Sequence, residues 1–112
     1  MFAVNTLRLA NTNVFFGPGP QLLLAQIEAT ASLRKATIET GISYTKALRM
    51  LRKMEQELGF AVVASAKGGS TRGGTTLTPK GKQLLQTYTE VQHQLQAEAQ
   101  RLVEERFAVL KE

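Results

Sequence analysis

Apolar residues change their spacing several times along the chain, and each change marks an element. Residues 3–9 alternate roughly between apolar and polar side chains, the two-residue repeat of a half-buried strand. A turn at residues 11–13 lets that strand resume as far as Phe16. Gly17-Pro18-Gly19-Pro20 is a second turn, and Pro20 suits the first turn of a helix, where no intrahelical donor is lost. Leu23, Leu24 and Ile27 then recur at helical spacing over 21–29. Ser32 is a good N-cap for a second helix over 33–40, which ends at Gly41. Ser43 caps a third helix over 44–58, closed by Gly59. Ala47, Leu48, Leu51, Met54 and Leu58 form its apolar face, and Lys46, Arg49, Arg52, Lys53 and Gln56 its opposite face.

Beyond the third helix the pattern changes to β. Residues 60–66 carry valines and no charge, and residues 75–78 read as the returning strand of a hairpin. Between them a glycine-rich tip over 67–74 holds two cations, Lys67 and Arg72. Thr78 caps a last helix with Pro79 at its first position, running from residue 80 to about 110. Leu84, Tyr88, Val91, Leu95, Ala99 and Leu102 follow steps of four and three residues, a nearly heptad seam interrupted by glutamines. That helix is too polar to stand alone and too long for a small core to cover, so a second copy of the chain is expected on Leu84, Tyr88, Val91, Leu95 and Leu102.

Composition narrows the class. A chain of 112 residues with 43% hydrophobic residues fits one globular unit. The absence of cysteine excludes thiolate zinc sites and a cysteine nucleophile, and favours a reducing cytoplasm. Neither a long apolar span nor a secretory leader is evident, so no membrane partner is expected. The net charge of +5 is unevenly placed: residues 31–82 hold ten basic and three acidic side chains, whereas residues 83–112 hold three and five. A confined basic region is the electrostatic footprint of a polyanion partner.

The chemistry lies in the second and third helices and the tight turn at 40–43 that joins them. Ala36 and Ala47 are small where two helices must approach, and Ile42, Leu48 and Leu51 anchor the second of them. Its first turns then present hydroxyls and cations outward. The expected DNA contacts are Ser32, Lys35, Ser43, Tyr44, Thr45, Lys46, Arg49 and Lys53, with Lys67 and Arg72 on the hairpin tip. Ser32, Lys35, Lys46, Lys53 and the tip would hold phosphates, and Thr45 and Arg49 would read bases in the major groove. Tyr44 reads equally well as core packing or a phosphate contact. The glycine-rich tip is not a nucleotide loop, because no Gly-Lys-Ser/Thr lies within it and a strand follows it.

Other chemistry is weakly represented. His93, the single histidine, lacks clustered carboxylates, so no metal or cofactor is expected. Glu55 and Glu57 lie near Arg52 and Lys53 and are expected to pair with them. No nucleophile, base and orienting group fall together, so the chain is not expected to be an enzyme.

Gly41-Ile42-Ser43-Tyr44-Thr45-Lys46-Ala47, then Met54, then the run from Lys67-Gly68-Gly69 through Gly73-Gly74-Thr75-Thr76-Leu77-Thr78-Pro79-Lys80-Gly81, resembles the N-terminal DNA-binding domain of ModE-type, molybdate-responsive regulators. LysR-type regulators are similar more broadly, through Ala31-Ser32-Leu33, Leu51, Glu55, Leu58-Gly59 and Leu77-Thr78-Pro79-Lys80-Gly81. The resemblance spans residues 17–88. It implies a winged helix-turn-helix dimer joined by a long helix and acting as a bacterial or archaeal transcription regulator. Two departures stand out. Leu48 occupies a position where the family often has an aromatic residue. ModE-type proteins also usually carry C-terminal molybdate-binding domains, so no molybdate site is expected within these 112 residues.

The expected fold is therefore α+β: a winged helix-turn-helix over 1–79 and a long dimerisation helix over 80–112, forming one compact unit. The expected function is sequence-specific binding of double-stranded DNA in transcription regulation. The alternative is a winged-helix protein-interaction or scaffold module whose basic face meets an acidic protein.

Overall fold

The computed structural model describes residues 1–65 and 74–111. In chain order they form β1 (Leu9–Ala10), β2 (Val14–Phe16), α1 (Pro18–Thr30), α2 (Leu33–Thr40), α3 (Tyr44–Leu58), β3 (Val63–Ser65), β4 (Thr75–Leu77) and α4 (Pro79–Arg106), with a 3₁₀ turn at Ala108–Lys111. Four helices and two small antiparallel sheets make the α+β class. One sheet pairs β1 with β2, Leu9 opposite Phe16, and the other pairs β3 with β4, Val63 opposite Leu77.

Capping residues set the helix limits. The hydroxyl oxygens of Ser32, Ser43 and Thr78 accept from the backbone N–H three residues on, which occupies donors that each helix start leaves unmet. Gly41 and Gly59 end α2 and α3 in the left-handed region at φ 73° and 80°, where a side chain is disfavoured. α1 begins earlier than the spacing of its leucines suggests. Pro18 and Pro20 both fit its first turn, and the Gln21 N–H already donates to the Gly17 carbonyl at 2.9 Å.

The core gathers on α1, whose Leu23, Leu24 and Ile27 are fully buried. Phe15 and Phe16 come from β2, Ala36 from α2, Ala47, Leu51 and Met54 from α3, and Val62, Leu77, Leu85 and Tyr88 close the far side. Phe16 and Tyr88 meet edge to face with ring centroids 4.8 Å apart. Past Tyr88, α4 leaves this core. A helix of 28 residues is about 42 Å long at 1.5 Å per residue, which accounts for principal extents of 64 × 29 × 23 Å.

Three expectations need correction. The strand expected over 60–66 begins only at Val63, because the Val62 N–H donates to the Glu55 carboxylate and its carbonyl accepts from Thr78 N–H. The final helix ends at Arg106 and gives way to the 3₁₀ turn. Residues 3–7 do not pair with a strand at all. They run antiparallel along α4, where side-chain amides take the place of a neighbouring strand. Gln100 Oε1 accepts from Ala3 N–H, Gln96 Oε1 from Asn5 N–H and Gln92 Oε1 from Leu7 N–H, at 2.6–2.7 Å. In return Gln96 Nε2 donates to the Ala3 carbonyl, Gln92 Nε2 to the Asn5 carbonyl and the Tyr88 hydroxyl to the Leu7 carbonyl. Two residues of extended chain advance about 6.6 Å and four residues of helix about 6.0 Å, so the two repeats stay in step over this length.

α4 starts against β3 with no room to spare. Thr78 N–H donates to the Val62 carbonyl, and the Thr78 hydroxyl donates to the Ala61 carbonyl and accepts from Gly81 N–H. A β-carbon on Gly81 would be driven into the Val62 carbonyl oxygen and stand 3.0 Å from its carbon. Gly81→Ala is therefore expected to destabilise the fold by about 2 kcal/mol or more, despite alanine's better helix propensity of about 1 kcal/mol. Chemical denaturation of the two proteins checks the sign, since a clash-free site would give a gain.

Candidate nucleic-acid interface

α2 and α3 pack through their smallest side chains. Ala36 and Ala47 are both fully buried, and half-buried Ile42 seals the turn between the helices. The Thr40 hydroxyl donates to the Ala36 carbonyl at 2.8 Å, and its oxygen receives Ile42 N–H at 3.3 Å. This fixes the start of α3. Thr45, Lys46, Arg49, Arg52 and Lys53 are all exposed, as is Lys35 on α2. Tyr44 is 51% exposed, so the core-packing reading is overturned. Ser32 and Ser43 use their oxygens as cap acceptors for Lys35 N–H and Lys46 N–H at 3.1 Å. Each hydroxyl proton stays available to donate to an anionic oxygen. Lys67 and Arg72 lie outside the described residues.

Glu55 and Glu57 form no ion pair with Arg52 or Lys53, which corrects the expected pairing, although Lys53 acts on Glu57 as a nearby charge. Glu55 Oε2 accepts from Val62 N–H at 2.8 Å and Val63 N–H at 3.4 Å, tying the last turns of α3 to the start of β3. Glu57 receives the tip of the first hairpin. Its Oε1 accepts from Thr12 N–H and Asn13 N–H at 2.9 Å, and its Oε2 from Asn13 Nδ2 at 3.2 Å. Asn11 Nδ2 adds a bond of 2.7 Å to the Glu57 backbone carbonyl. Among the described residues the ion pairs are those of Arg101 with Glu98 and Glu105, on α4. The cations of α2 and α3 thus form no salt bridge in that set, and an incoming anion displaces none to reach them.

The expected dimer seam divides in two. Tyr88 is 3% exposed and packs on Phe16, and Leu84 is half-buried against the core, so the chain's own fold occupies both. Val91, Leu95 and Leu102 stay at 38–39% exposure, and Phe2 and Val4 on the arm beside α4 are more exposed still. Sequence reasoning missed the roles of Gln92, Gln96 and Gln100. Their four-residue repeat was visible only as a polar interruption of the seam. His93 is exposed, and among the described residues no three His, Cys, Asp or Glu side chains cluster as metal ligands would. Among them, too, no helix is long and apolar enough to cross a membrane.

The Glu57 carboxyl is held below the ordinary value of 4.5, first by the Asn13 backbone N–H, then by the Asn13 side chain. A depressed acid pKa contributes its stabilisation above the unfolded value and loses it as pH falls through the folded one. The hairpin tip should therefore stay clamped at neutral pH and release only below the ordinary glutamate range. Amide chemical shifts of Thr12 and Asn13, followed against pH, should titrate together with a midpoint under 4.5.

No family model matches the chain. Among curated proteins, it is 36% identical over 84 residues to the molybdenum-pterin-binding protein MopB of Rhodobacter capsulatus, a match covering 75% of this chain and 31% of that protein. It is 34% identical over 83 residues to the DNA-binding transcriptional dual regulator ModE of Escherichia coli, covering 74% and 31%. It is also 34% identical over 70 residues to the molybdenum transport protein ModE of Herbaspirillum seropedicae, covering 62% and 26%. The chain spans under a third of the length of these relatives, and over that stretch its sequence is ModE-like.

Proposed function

We propose that the chain is a winged helix-turn-helix regulator that binds double-stranded DNA sequence-specifically as a homodimer in the cytoplasm, and that it is not an enzyme. The observation that carries this reading is the outer face of α3 with its neighbour α2. Exposed cations and hydroxyls are concentrated there, and Glu55 and Glu57 are already bonded to backbone N–H groups. The likeness to a DNA-binding regulator over three quarters of the chain supports it. α3 enters the major groove, where Thr45 and Arg49 meet base edges. Ser32, Lys35, Ser43, Tyr44, Lys46 and Lys53 contact phosphates on either side. The β3–β4 pair leads into a wing carrying Lys67 and Arg72, which meets the backbone or the minor groove.

The second copy packs on the exposed Val91, Leu95 and Leu102 face of α4. Two α3 helices then meet successive major grooves about 34 Å apart on an imperfect palindrome.

Affinity for duplex DNA should fall steeply and linearly in log–log form as salt rises, because bound cations release condensed counterions. Electrophoretic shifts with random duplex DNA at several salt concentrations test this. Flat or absent binding would favour an acidic protein as the partner of the basic face. At a selected operator, Arg49→Ala should cost about 1–3 kcal/mol and relax specificity at one base position. A uniform loss across all sequences would make Arg49 a phosphate contact instead. Leu95→Glu, on an exposed position, should leave helical content unchanged and convert the dimer to a monomer by light scattering.

A further inference from the structure

The first hairpin, β1–β2, is not part of a helix-turn-helix, yet its tip is fixed to α3. Four hydrogen bonds hold Asn11, Thr12 and Asn13 to Glu57, near the C-terminal end of that helix. All three tip residues are exposed. Asn13 shares the lining of a surface groove of about 390 Å³ with Arg49, Arg52, Lys53, Gln56 and Glu57. The tip therefore extends the same face on which the exposed cations of α3 stand.

Length decides what the tip can reach. α3 has 15 residues and is about 22 Å long, while the major groove is about 12 Å wide. A helix inserted by its first turns emerges at its other end beside the sugar–phosphate backbone. Glu57 would be a poor neighbour for phosphate if it were bare. Three N–H donors from Thr12 and Asn13 surround its carboxylate instead. The Thr12 hydroxyl stays on the exposed tip, and the Nδ2 of Asn11 and of Asn13, each giving one proton to Glu57, keeps a second.

We propose that the tip at Asn11, Thr12 and Asn13 is a second DNA contact, a phosphate-binding site on the flank of the groove that α3 occupies, with Glu57 as its positioning residue. This rests on the DNA-binding reading of α3. The hairpin bonds occupy the Glu57 carboxylate with N–H groups and hold the Thr12 hydroxyl and the second amide protons of Asn11 and Asn13 on the face where the backbone passes. The β3–β4 wing and the β1–β2 tip then grip the DNA as separate hairpins of one protomer.

The test uses the full chain, a selected duplex, and binding measured across a salt series. Thr12→Lys adds a cation at the tip without removing the backbone N–H that Glu57 accepts, and Gln94→Lys adds the same charge on exposed α4. Thr12→Lys should tighten binding severalfold and steepen the log K against log salt slope by about 0.9 for each tip that meets a phosphate. Gln94→Lys should leave the slope at the wild-type value. Thr12→Glu should weaken binding severalfold. In a Glu57→Ala background the added slope from Thr12→Lys should disappear, and its persistence would overturn the positioning role of Glu57. If Thr12→Lys and Gln94→Lys behave alike while Arg49→Ala weakens binding, the tip is not at a phosphate and the proposal is overturned. If the wild-type chain binds no duplex DNA, the reading of α3 fails and the tip site falls with it.

Discussion

The direction of α4 depends on one contact from which a side chain is excluded, Gly81 against the Val62 carbonyl. Thr78 fixes the same place through bonds to Ala61 and Val62, so the first turn of α4 is held to the start of β3 on both sides. Much else follows along the helix. Tyr88 reaches Phe16 and the Leu7 carbonyl only if α4 leaves the sheet at this angle. Gln92, Gln96 and Gln100 then meet the arm in register, the arm leads into β1–β2, and the hairpin tip reaches Glu57 on α3. Two residues earlier on α3, Glu55 bonds Val62 N–H and closes the loop of contacts back at Gly81. The helix that faces the proposed DNA is thus braced near its C-terminal end by two structures, β3 and the N-terminal hairpin.

That bracing solves an electrostatic problem. Acids near a surface meant for polyanions cost affinity, yet α3 carries Glu55 and Glu57 beside Arg52 and Lys53. Pairing acid with base would cancel charge on the exposed face. The chain instead bonds both carboxylates to N–H groups, which are dipoles and carry no net charge. The carboxylates tie down loops that have few apolar contacts of their own, and the guanidinium and ammonium groups remain with water as their competitor. Charge-assisted bonds to backbone N–H are also stronger than neutral ones, which suits short segments such as residues 11–13 and 60–62.

Much of this was legible in the sequence where local chemistry decides the outcome. α2 and α3 begin and end where Ser32, Gly41, Ser43 and Gly59 say they should, because caps act within one turn. The small residues at 36 and 47 lie at the helix contact for the reason their size implied. The arm was misread because alternation marks half-buried extended chain without revealing its partner, and a helix edge served here in place of a strand. Tyr88 was placed on an outer seam because heptad spacing does not say which side of a helix the rest of the same chain covers. Glu55 and Glu57 were misassigned because sequence proximity favours local ion pairs, whereas their actual donors lie seven or eight residues later and about 44 residues earlier.

The glutamines of α4 hydrogen-bond the arm through its peptide groups, so these bonds do not depend on which side chains the arm carries. Substitutions at positions 2, 4 and 6 leave every one of these bonds intact. Proline at position 3, 5 or 7 deletes a donor, and, because β1–β2 anchors the arm's other end, one inserted residue turns every preceding N–H and carbonyl away from its amide. The N-terminal arm is thus constrained in its length and free in its spelling only at the exposed positions 2, 4 and 6, since residues 3, 5 and 7 are half-buried and Leu7 packs on the core: deletions and insertions there should be rarer than replacements at the exposed positions.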